Sequence, residues 1–222
     1  MKLTHNLHAF LWTSPSANNC NTYLIQSSQK NILIDPGHAA YFDHVRKGLH
    51  QLNLEMDDID LLICTHAHPD HIEAVSRFDT SATLFAIHET EWQMVQELAP
   101  YLKQAMSMDL DQFRPDFFLA KGQLTVGDIM LEVFHTPGHS PGSATLYYPD
   151  AKALITGDLI FKDGVGRTDL PGGNSDQLKD SIRRMAALDS DWLLSGHGDV
   201  LSGKDAVRAN FERVDQMWFG FV

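Results

Sequence analysis

Short runs of apolar and β-branched residues alternate along the chain with stretches in which apolar residues recur every three or four positions. The short runs predict strands at residues 20–25, 31–35, 59–64, 83–87, 129–135, 143–148, 153–156 and 192–194. The periodic stretches predict helices at residues 39–52, 72–78, 89–98, 177–188 and 207–218. Because strands are followed by helices in both halves of the chain, the pattern predicts an α/β layered sandwich.

A single domain spanning residues 1–222 is predicted, since the chain has no low-complexity segment, no repeat of fixed period and no Gly/Ser-rich linker. One stretch, residues 100–123, is rich in Met, Phe and Asp and shows no clear period. We expect a flap or a pair of short helices there. Cys64 falls inside an apolar run, which predicts a buried, unreactive thiol.

The charge of the chain restricts its partners. It carries 17 basic and 29 acidic residues, a formal net charge of −12. Such a charge repels phosphate backbones, so a nucleic-acid substrate is not expected. No apolar run reaches the roughly 18 residues of a membrane helix, and the first residues lack the apolar stretch of a secretory signal. We therefore expect a cytoplasmic protein that does not associate with a membrane.

The densest group of metal-binding residue types is the six-residue run HAHPDH at positions 66–71. In an extended segment, side chains two positions apart point the same way, so His66 and His68 can bind one ion together. Pro69 is suited to the first position of a helix, and that helix would turn Asp70 and His71 toward a neighbouring point. The run therefore predicts a metal site at the end of the strand that precedes it.

Three later segments repeat one design, in which an apolar strand ends in a Gly-rich loop that carries a metal-binding residue type. The residues in these loops are His139, Asp158 and His197. Residues at the carboxyl ends of buried strands converge on one crevice in layered α/β folds. With the four residues of the first run they make five histidines and two aspartates, a set suited to two divalent ions that share one carboxylate.

The order and spacing of these residues resemble the metallo-β-lactamase superfamily, and the resemblance covers nearly the whole chain, including the Asp-Pro-Gly turn at positions 35–37. It implies an α/β fold, the four-layer αββα sandwich, with the site at one edge. It also implies how the ligands are divided between the ions. One metal would be held by His66, His68 and His139, the other by Asp70, His71 and His197, and Asp158 would bridge them.

Within the superfamily, segments 136–143, 157–161 and 164–169 are similar to the glyoxalase II branch, above all to its compact bacterial members. The resemblance implies hydrolysis of a small-molecule thioester by attack of a metal-bound hydroxide. The implied cofactor is two divalent metal ions, with Zn expected first and Fe or Mn also suited. Asp70 and Asp158 would act as ligands that can also orient the hydroxide. Arg167 falls where larger relatives place a basic residue that binds glutathione, and Asp169 falls near where they place a tyrosine.

Other functions remain open beside the thioesterase. A persulfide dioxygenase with one iron has a Gly-Arg-Thr-Asp element like residues 166–169, although Val165 stands where such enzymes commonly have Cys. A lactonase or another ester hydrolase is a further alternative. An RNA-processing role is disfavoured by the acidic charge, and a flavodiiron reductase is disfavoured because position 68 is His. Both a monomer and a homodimer fit the sequence.

Histidine ligands need a partner on the second ring nitrogen, and Asp35 is our hypothesis for one such partner. The other histidines are predicted to have ordinary surface or core roles. They are His5, His8, His38, His44, His50, His88 and His135.

Overall fold

The computed structural model describes residues 1–78, 82–100 and 113–222. Contacts among these residues divide the chain into two compact units. The first unit comprises Met1–Leu119 with Val126–Ile129, and the second comprises Ala120–Thr125 with Met130–Val222. Strands and helices occur in both, as the sequence pattern predicts. A single domain spanning residues 1–222 stays a prediction.

The sheet of the first unit contains six strands among the described residues. They are β1 (Leu7–Phe10), β2 (Thr22–Gln26), β3 (Asn31–Ile34), β4 (Leu61–Ile63), β5 (Leu84–His88) and β6 (Phe117–Leu119), in that spatial order. Strands β1, β2 and β3 pair antiparallel, whereas β3, β4, β5 and β6 pair parallel. The central strands are buried on both faces, which explains their continuous apolar runs. Because β3 and β4 are parallel, the residues that follow them meet at one edge of the sheet.

Among its described residues, the first unit has the helices α1 (Asp43–Gln51), α2 (Pro69–Ile72) and α3 (Glu89–Glu97), together with 3₁₀ turns at Ala39–Tyr41, Met56–Asp58 and Glu73–Arg77. Val45 and Leu49 form the buried side of α1, which ends where Asn53 adopts a left-handed conformation. The predicted helix at residues 72–78 instead starts at Pro69 and continues as a 3₁₀ turn, because proline fits the first helical position.

The second sheet has the spatial order β14, β13, β10, β9, β8 and β7. Its strands are β7 (Gly122–Val126), β8 (Ile129–His135), β9 (Ala144–Tyr148), β10 (Ala153–Gly157), β13 (Trp192–Ser195) and β14 (Leu201–Ser202). The pair β11 (Ile160–Phe161) and β12 (Gly164–Val165) forms a small separate ribbon. Strands β8 and β10 are both antiparallel to β9, and β10 is parallel to β13. The carboxyl ends of β8, β10 and β13 therefore lie at the same edge.

Two helices pack on the second sheet, α4 (Ser175–Ala186) and α5 (Lys204–Trp218), and a 3₁₀ turn occupies Pro149–Ala151. The side chain of Asn174 caps α4 by accepting a hydrogen bond from the Gln177 N–H at 2.9 Å. The buried faces of the two helices form one apolar cluster with residues of β10 and β13. Its members include Leu154, Leu178, Ile182, Met185, Leu193, Val207, Phe211 and Val214.

Residues 100–123 differ from the sequence expectation where the structure describes them. Phe117–Leu119 and the start of Gly122–Val126 are strands, so the prediction of a flap or a pair of helices is wrong there. Strand β6 has three residues and pairs with β5, and so short an element carries no readable period. The part of this prediction that falls on residues 101–112 lies outside the described residues. Within the described ranges, no helix combines the length and hydrophobicity that a bilayer span requires.

Candidate metal centre

The HAHPDH run follows β4 and crosses from extended chain into a helix. His68 is extended, with φ −65° and ψ 145°, and α2 begins at the next residue, Pro69. The ring centroids of His66 and His68 lie 4.7 Å apart, and those of His66 and His71 lie 4.1 Å apart. Ligand atoms of Asp70 and His71 lie within 4.8 Å of each other. These four side chains form the first ligand cluster, which belongs to the first unit.

Asp35 orients the first ligand cluster from the carboxyl end of β3. Its side chain is 1% exposed, and its Oδ1 accepts a hydrogen bond from the Thr65 N–H at 2.7 Å. Its Oδ2 accepts from the Thr65 hydroxyl at 2.7 Å and contacts Nδ1 of His71 at 2.9 Å. A carboxylate accepts hydrogen bonds, so His71 carries its proton on Nδ1 and would bind a cation through Nε2. The structure thus places Asp35 where the sequence hypothesis requires it.

His66 is oriented in the same way through Thr65. The Thr65 hydroxyl has a single proton and donates it to Asp35, so its 3.1 Å contact with Nδ1 of His66 is a bond that His66 donates. Nε2 of His66 is then the nitrogen that would bind a cation. One buried aspartate therefore sets the tautomer of two histidines, one directly and one through a hydroxyl.

Two further residues form hydrogen bonds with the HAHPDH run and were missed by sequence reasoning. Nδ2 of Asn18 donates to Oδ2 of Asp70 at 2.7 Å. Oε1 of Glu91, a fully buried residue of α3, accepts a hydrogen bond from the Ala67 N–H at 2.8 Å. Asn18 carries no local signal, since it lies 52 residues from Asp70. Glu91 does carry a local signal. It lies four positions before the buried Val95, so an acidic residue stands on the apolar side of the helix.

The second ligand cluster consists of His139, Asp158 and His197, which belong to the second unit. They follow β8, β10 and β13, whose carboxyl ends lie at one edge of the sheet. Oδ2 of Asp158 lies 3.6 Å from Nε2 of His139 and 3.3 Å from Nε2 of His197. The three loops that the sequence singled out separately therefore bring their polar side chains together.

The loop before α4 supports the second ligand cluster with its backbone. Nδ1 of His139 donates to the carbonyl oxygen of Arg167 at 2.7 Å, which leaves Nε2 of His139 toward Asp158. The loop passes so close that a Cβ at Gly166 would lie 1.8 Å from the carbonyl oxygen of Asp158. A glycine is therefore required at position 166, and it keeps the Arg167 carbonyl within reach of His139.

The side chain of Arg167 is engaged by Asp169. Its Nε and one terminal nitrogen each donate to a different carboxylate oxygen of Asp169 at 2.7 Å. The hydrogen bonds from Arg167 lower the pKa of Asp169 to about 2, so the ion pair persists at neutral pH. Both side chains are exposed, by 61% and 67%. The neighbouring acid Asp163 pairs with Arg213 instead.

Other chemistry-bearing residues near the clusters have structural roles. Cys64 is buried, and desolvation together with the nearby Asp35 raises the pKa of its thiol well above the usual value. Cys64 is therefore inert toward thiolate chemistry, as the sequence predicts. His135 ends β8 and donates from Nε2 to the carbonyl oxygen of Pro141 at 2.9 Å.

The donor sets of the two clusters fit divalent cations. Imidazole nitrogens with carboxylate oxygens suit Zn, Fe and Mn. Nδ1 of three histidines, His66, His71 and His139, is held by a hydrogen-bond partner that makes Nε2 the ligand atom. Such oriented imidazoles are the arrangement that a resident metal requires.

Comparison with known proteins assigns the family. The family model described as the metallo-beta-lactamase superfamily matches residues 15–197, a range that contains all seven candidate ligands. The chain belongs to the metallo-β-lactamase superfamily. This confirms the family and the α/β fold class that the sequence predicted.

Relatives of similar length carry names of metal-dependent hydrolases. A Bacillus subtilis protein named "Probable metallo-hydrolase YqgX" is 32% identical over 83% of this chain and 89% of its own length. The Haemophilus influenzae "Hydroxyacylglutathione hydrolase GloC" is 30% identical over 86% of this chain and 91% of its own. A crystal structure described as TTHA1623 in a di-iron-bound form is 26% identical, with a TM-score of 0.70 over 91% of this chain and 95% of its own.

Proposed function

We propose that this chain is a metal-dependent hydrolase that cleaves a small-molecule thioester, in the manner of glyoxalase II. The observation that carries the proposal is the set of buried histidines whose Nδ1 atoms are held by Asp35, Thr65 and the Arg167 carbonyl. Support also comes from the relative of similar length that is named a hydroxyacylglutathione hydrolase.

The proposed cofactor is two divalent metal ions, Zn first and Fe or Mn as alternatives that the same ligands suit. Membership of the superfamily supports a shared centre built from both ligand clusters. The proposed ligands are His66, His68 and His139 for one ion, Asp70, His71 and His197 for the other, and Asp158 for both. The similar protein whose crystal structure is described as a di-iron-bound form supports a cofactor of two metal ions.

When bound, the cations would supply an activated water near neutral pH and polarise the substrate carbonyl. The chain's own residues hold the ligands in place, since Asp35 and the Arg167 carbonyl fix the protonated nitrogens of His71 and His139. A thiolate leaves readily because a thiol has a pKa of about 8.5, so no side chain is needed as a strong acid. Arg167 is proposed to bind an anionic part of the substrate.

The proposal includes a small-molecule substrate and neither nucleic acid nor membrane as partner. The net charge of −12 supports the exclusion of nucleic acid. A cytoplasmic location and a monomeric or homodimeric state remain predictions.

One experiment separates the thioesterase from its main alternative, a persulfide dioxygenase. The alternative is favoured by the Gly-Arg-Thr-Asp element at residues 166–169. Metals are measured on freshly purified protein, which is then assayed for lactoylglutathione hydrolysis and for oxygen uptake with glutathione persulfide. We expect about two metal equivalents and thioester hydrolysis that a chelator abolishes. One equivalent of iron with oxygen uptake and no hydrolysis would establish the dioxygenase instead.

The pairing of Arg167 with Asp169 leads to a prediction about substrate charge. Asp169→Asn removes the negative charge next to Arg167, so an anionic thioester is expected to be used better. The ion pair is exposed and therefore weak, so the gain in kcat/KM for lactoylglutathione is about 5-fold at most. A neutral thioester, such as S-acetyl-N-acetylcysteamine, measured in parallel is expected to change little.

The matched control for this variant is Asp180→Asn, which breaks another exposed ion pair of the second unit, with Arg183 at 3.2 Å. It is expected to leave kcat/KM unchanged for both thioesters. Equal responses of the anionic and the neutral thioester to Asp169→Asn would show that Arg167 does not bind substrate.

A further inference from the structure

Ser181 is a polar residue on the apolar face of α4. The buried residues of this helix are spaced by three and four positions: Leu178, Ser181, Ile182 and Met185. The other three belong to the apolar cluster of the second unit, and Ser181 is fully buried beside them. A hydroxyl in such surroundings is unfavourable unless it forms hydrogen bonds. The partners of Ser181 therefore indicate why a polar residue stands at this position.

The Ser181 hydroxyl joins α4 to the loop that carries His139. It donates to the carbonyl oxygen of Pro137 at 2.8 Å. One terminal nitrogen of Arg184 donates to Oγ of Ser181 at 3.0 Å and to the carbonyl oxygen of His135 at 2.9 Å. Because a hydroxyl has one proton and Arg184 only donates, the proton of Ser181 points to Pro137. Arg184 and Ser181 together therefore hold the start of this loop.

The backbone of α4 meets the same loop one residue later. The N–H of Asn174, the cap of the helix, donates to the carbonyl oxygen of Gly138 at 2.7 Å. A Cβ at Gly138, which has φ 141°, would lie 2.3 Å from the Cα of Leu178. Glycine at this position allows the loop to touch the helix backbone. The two residues that precede His139 are thus both fixed to α4.

Metal affinity depends on how well such a loop is ordered before the ion binds. A ligand group must lie within about 0.5 Å of its productive position. The Arg167 carbonyl, 2.7 Å from Nδ1 of His139, fixes which nitrogen this residue presents. The position of the ring also depends on the backbone that carries it. A loop that moved freely in the metal-free protein would have to be ordered on binding, and this cost would lower the affinity.

We infer that Ser181 is a positioning residue for the metal ligand His139: its hydroxyl, oriented by Arg184, fixes the loop so that the imidazole is in place before the ion binds. The inference rests on the proposed function in one respect, that His139 binds a divalent cation. The Arg167 carbonyl sets the tautomer of His139, whereas Ser181 sets the position of the backbone that carries it.

The test is the substitution Ser181→Ala, which removes the hydroxyl and leaves the helix intact. Zinc affinity is measured by competition with a chromophoric chelator, and unfolding of the metal-free protein is measured by denaturant titration. Zinc affinity is expected to fall about 10-fold, the lower end of the effect of residues that support metal ligands. The denaturation midpoint of the metal-free protein is expected to change little. Alanine is the better helix former, and water can reach the partly exposed Pro137.

The matched control is Ser190→Ala, which removes the hydroxyl of another buried serine of the same unit, after α4 and outside the loops that carry ligands. It is expected to leave zinc affinity unchanged. A double-mutant cycle with His139→Gln tests the route of the effect. If Ser181 acts through His139, then Ser181→Ala is expected to lower zinc affinity no further once His139 is replaced.

A pair of arginine variants tests the orientation of the hydroxyl. Arg184→Met removes the donor to Ser181, whereas Arg183→Met removes the same charge from the next position of α4, where Arg183 pairs with Asp180. Charge alone would raise zinc affinity slightly in both variants, because each loses a positive charge. We expect Arg184→Met to lower zinc affinity instead, by a smaller factor than Ser181→Ala, and Arg183→Met not to lower it.

The outcomes separate this inference from the proposed function. Wild-type zinc affinity in Ser181→Ala would overturn the inference and leave the proposed function standing. A loss of metal-free stability as large as the loss of binding free energy would also overturn it, since that result indicates a purely structural role. An equal loss of affinity in the His139→Gln background would overturn it as well. If the wild-type protein binds neither zinc, iron nor manganese, the proposed function fails, and this inference fails with it.

Discussion

Asp158→Asn is expected to lower kcat/KM for a thioester by more than about 100-fold, the largest loss of activity that we predict. Oδ2 of Asp158 lies 3.6 Å from His139 and 3.3 Å from His197, so this oxygen is central to the second ligand cluster. An amide keeps the size of the side chain but is neutral and a poor ligand. In the proposed centre, the variant loses the shared carboxylate and with it one of the metals. Steady-state kinetics and metal content per chain measure both effects.

The control for this prediction is Asp150→Asn, which changes an exposed aspartate of the same unit outside the ligand clusters. It is expected to keep the wild-type metal content and kcat/KM. A variant at position 158 that retains two metals and more than a tenth of the wild-type kcat/KM would contradict the bridging role.

Asp35→Ala is expected to lower the free energy of unfolding by about 3 kcal/mol, because it leaves buried hydrogen-bond donors without an acceptor. The donors are the Thr65 N–H, the Thr65 hydroxyl and Nδ1 of His71. The variant is also expected to retain less metal, because His71 and His66 lose the group that sets their orientation. Denaturant unfolding measures the stability, and metal analysis after dialysis measures the retention.

The backbone conformation of residue 35 could also lower the stability of Asp35→Ala, and a control variant tests for this. Asp35 has a left-handed backbone with φ 53°, which disfavours alanine by roughly 1–2 kcal/mol. Asp163 has a similar backbone with φ 60°, but its carboxylate is half exposed and pairs with Arg213. Asp163→Ala therefore measures the stability lost when alanine replaces an aspartate with a left-handed backbone and a surface ion pair is removed. We expect this variant to retain all of its metal. Equal losses of stability and metal in both variants would contradict the role given to Asp35.

Asparagine at position 35 separates the effect of Asp35 on stability from its effect on metal retention. It tolerates the left-handed backbone and its single oxygen can still accept from the Thr65 N–H. It cannot also accept from both the hydroxyl of Thr65 and Nδ1 of His71. Asp35→Asn is therefore expected to be more stable than Asp35→Ala but to lose metal almost as readily.

Much of the fold was predictable because its central strands are buried on both faces. Residues 59–64 and 153–156 are near-continuous apolar runs and appear as β4 and β10. The helix predicted at residues 177–188 appears as α4, two residues earlier, because the Asn174 cap sets its start. Strands β1, β6, β7, β11, β12 and β14 were not predicted. Four of them, β6, β11, β12 and β14, have only two or three residues and depend on a neighbouring strand for their hydrogen bonds, so no local pattern marks them. The other two, β1 and β7, have four and five residues and contain polar residues that interrupt an apolar run.

The sequence by itself determined the residue types of the site, since the HAHPDH run and the three Gly-rich loops are recognisable from local spacing alone. Only the tertiary structure decided which ring nitrogen each histidine presents, because Asp35 and the Arg167 carbonyl reach His71 and His139 across 36 and 28 residues of chain. It also decided that Asp169 neutralises Arg167 and that Glu91 holds Ala67. Hydrogen bonds between residues remote in sequence depend on how strands align at a sheet edge, and no local pattern encodes that alignment.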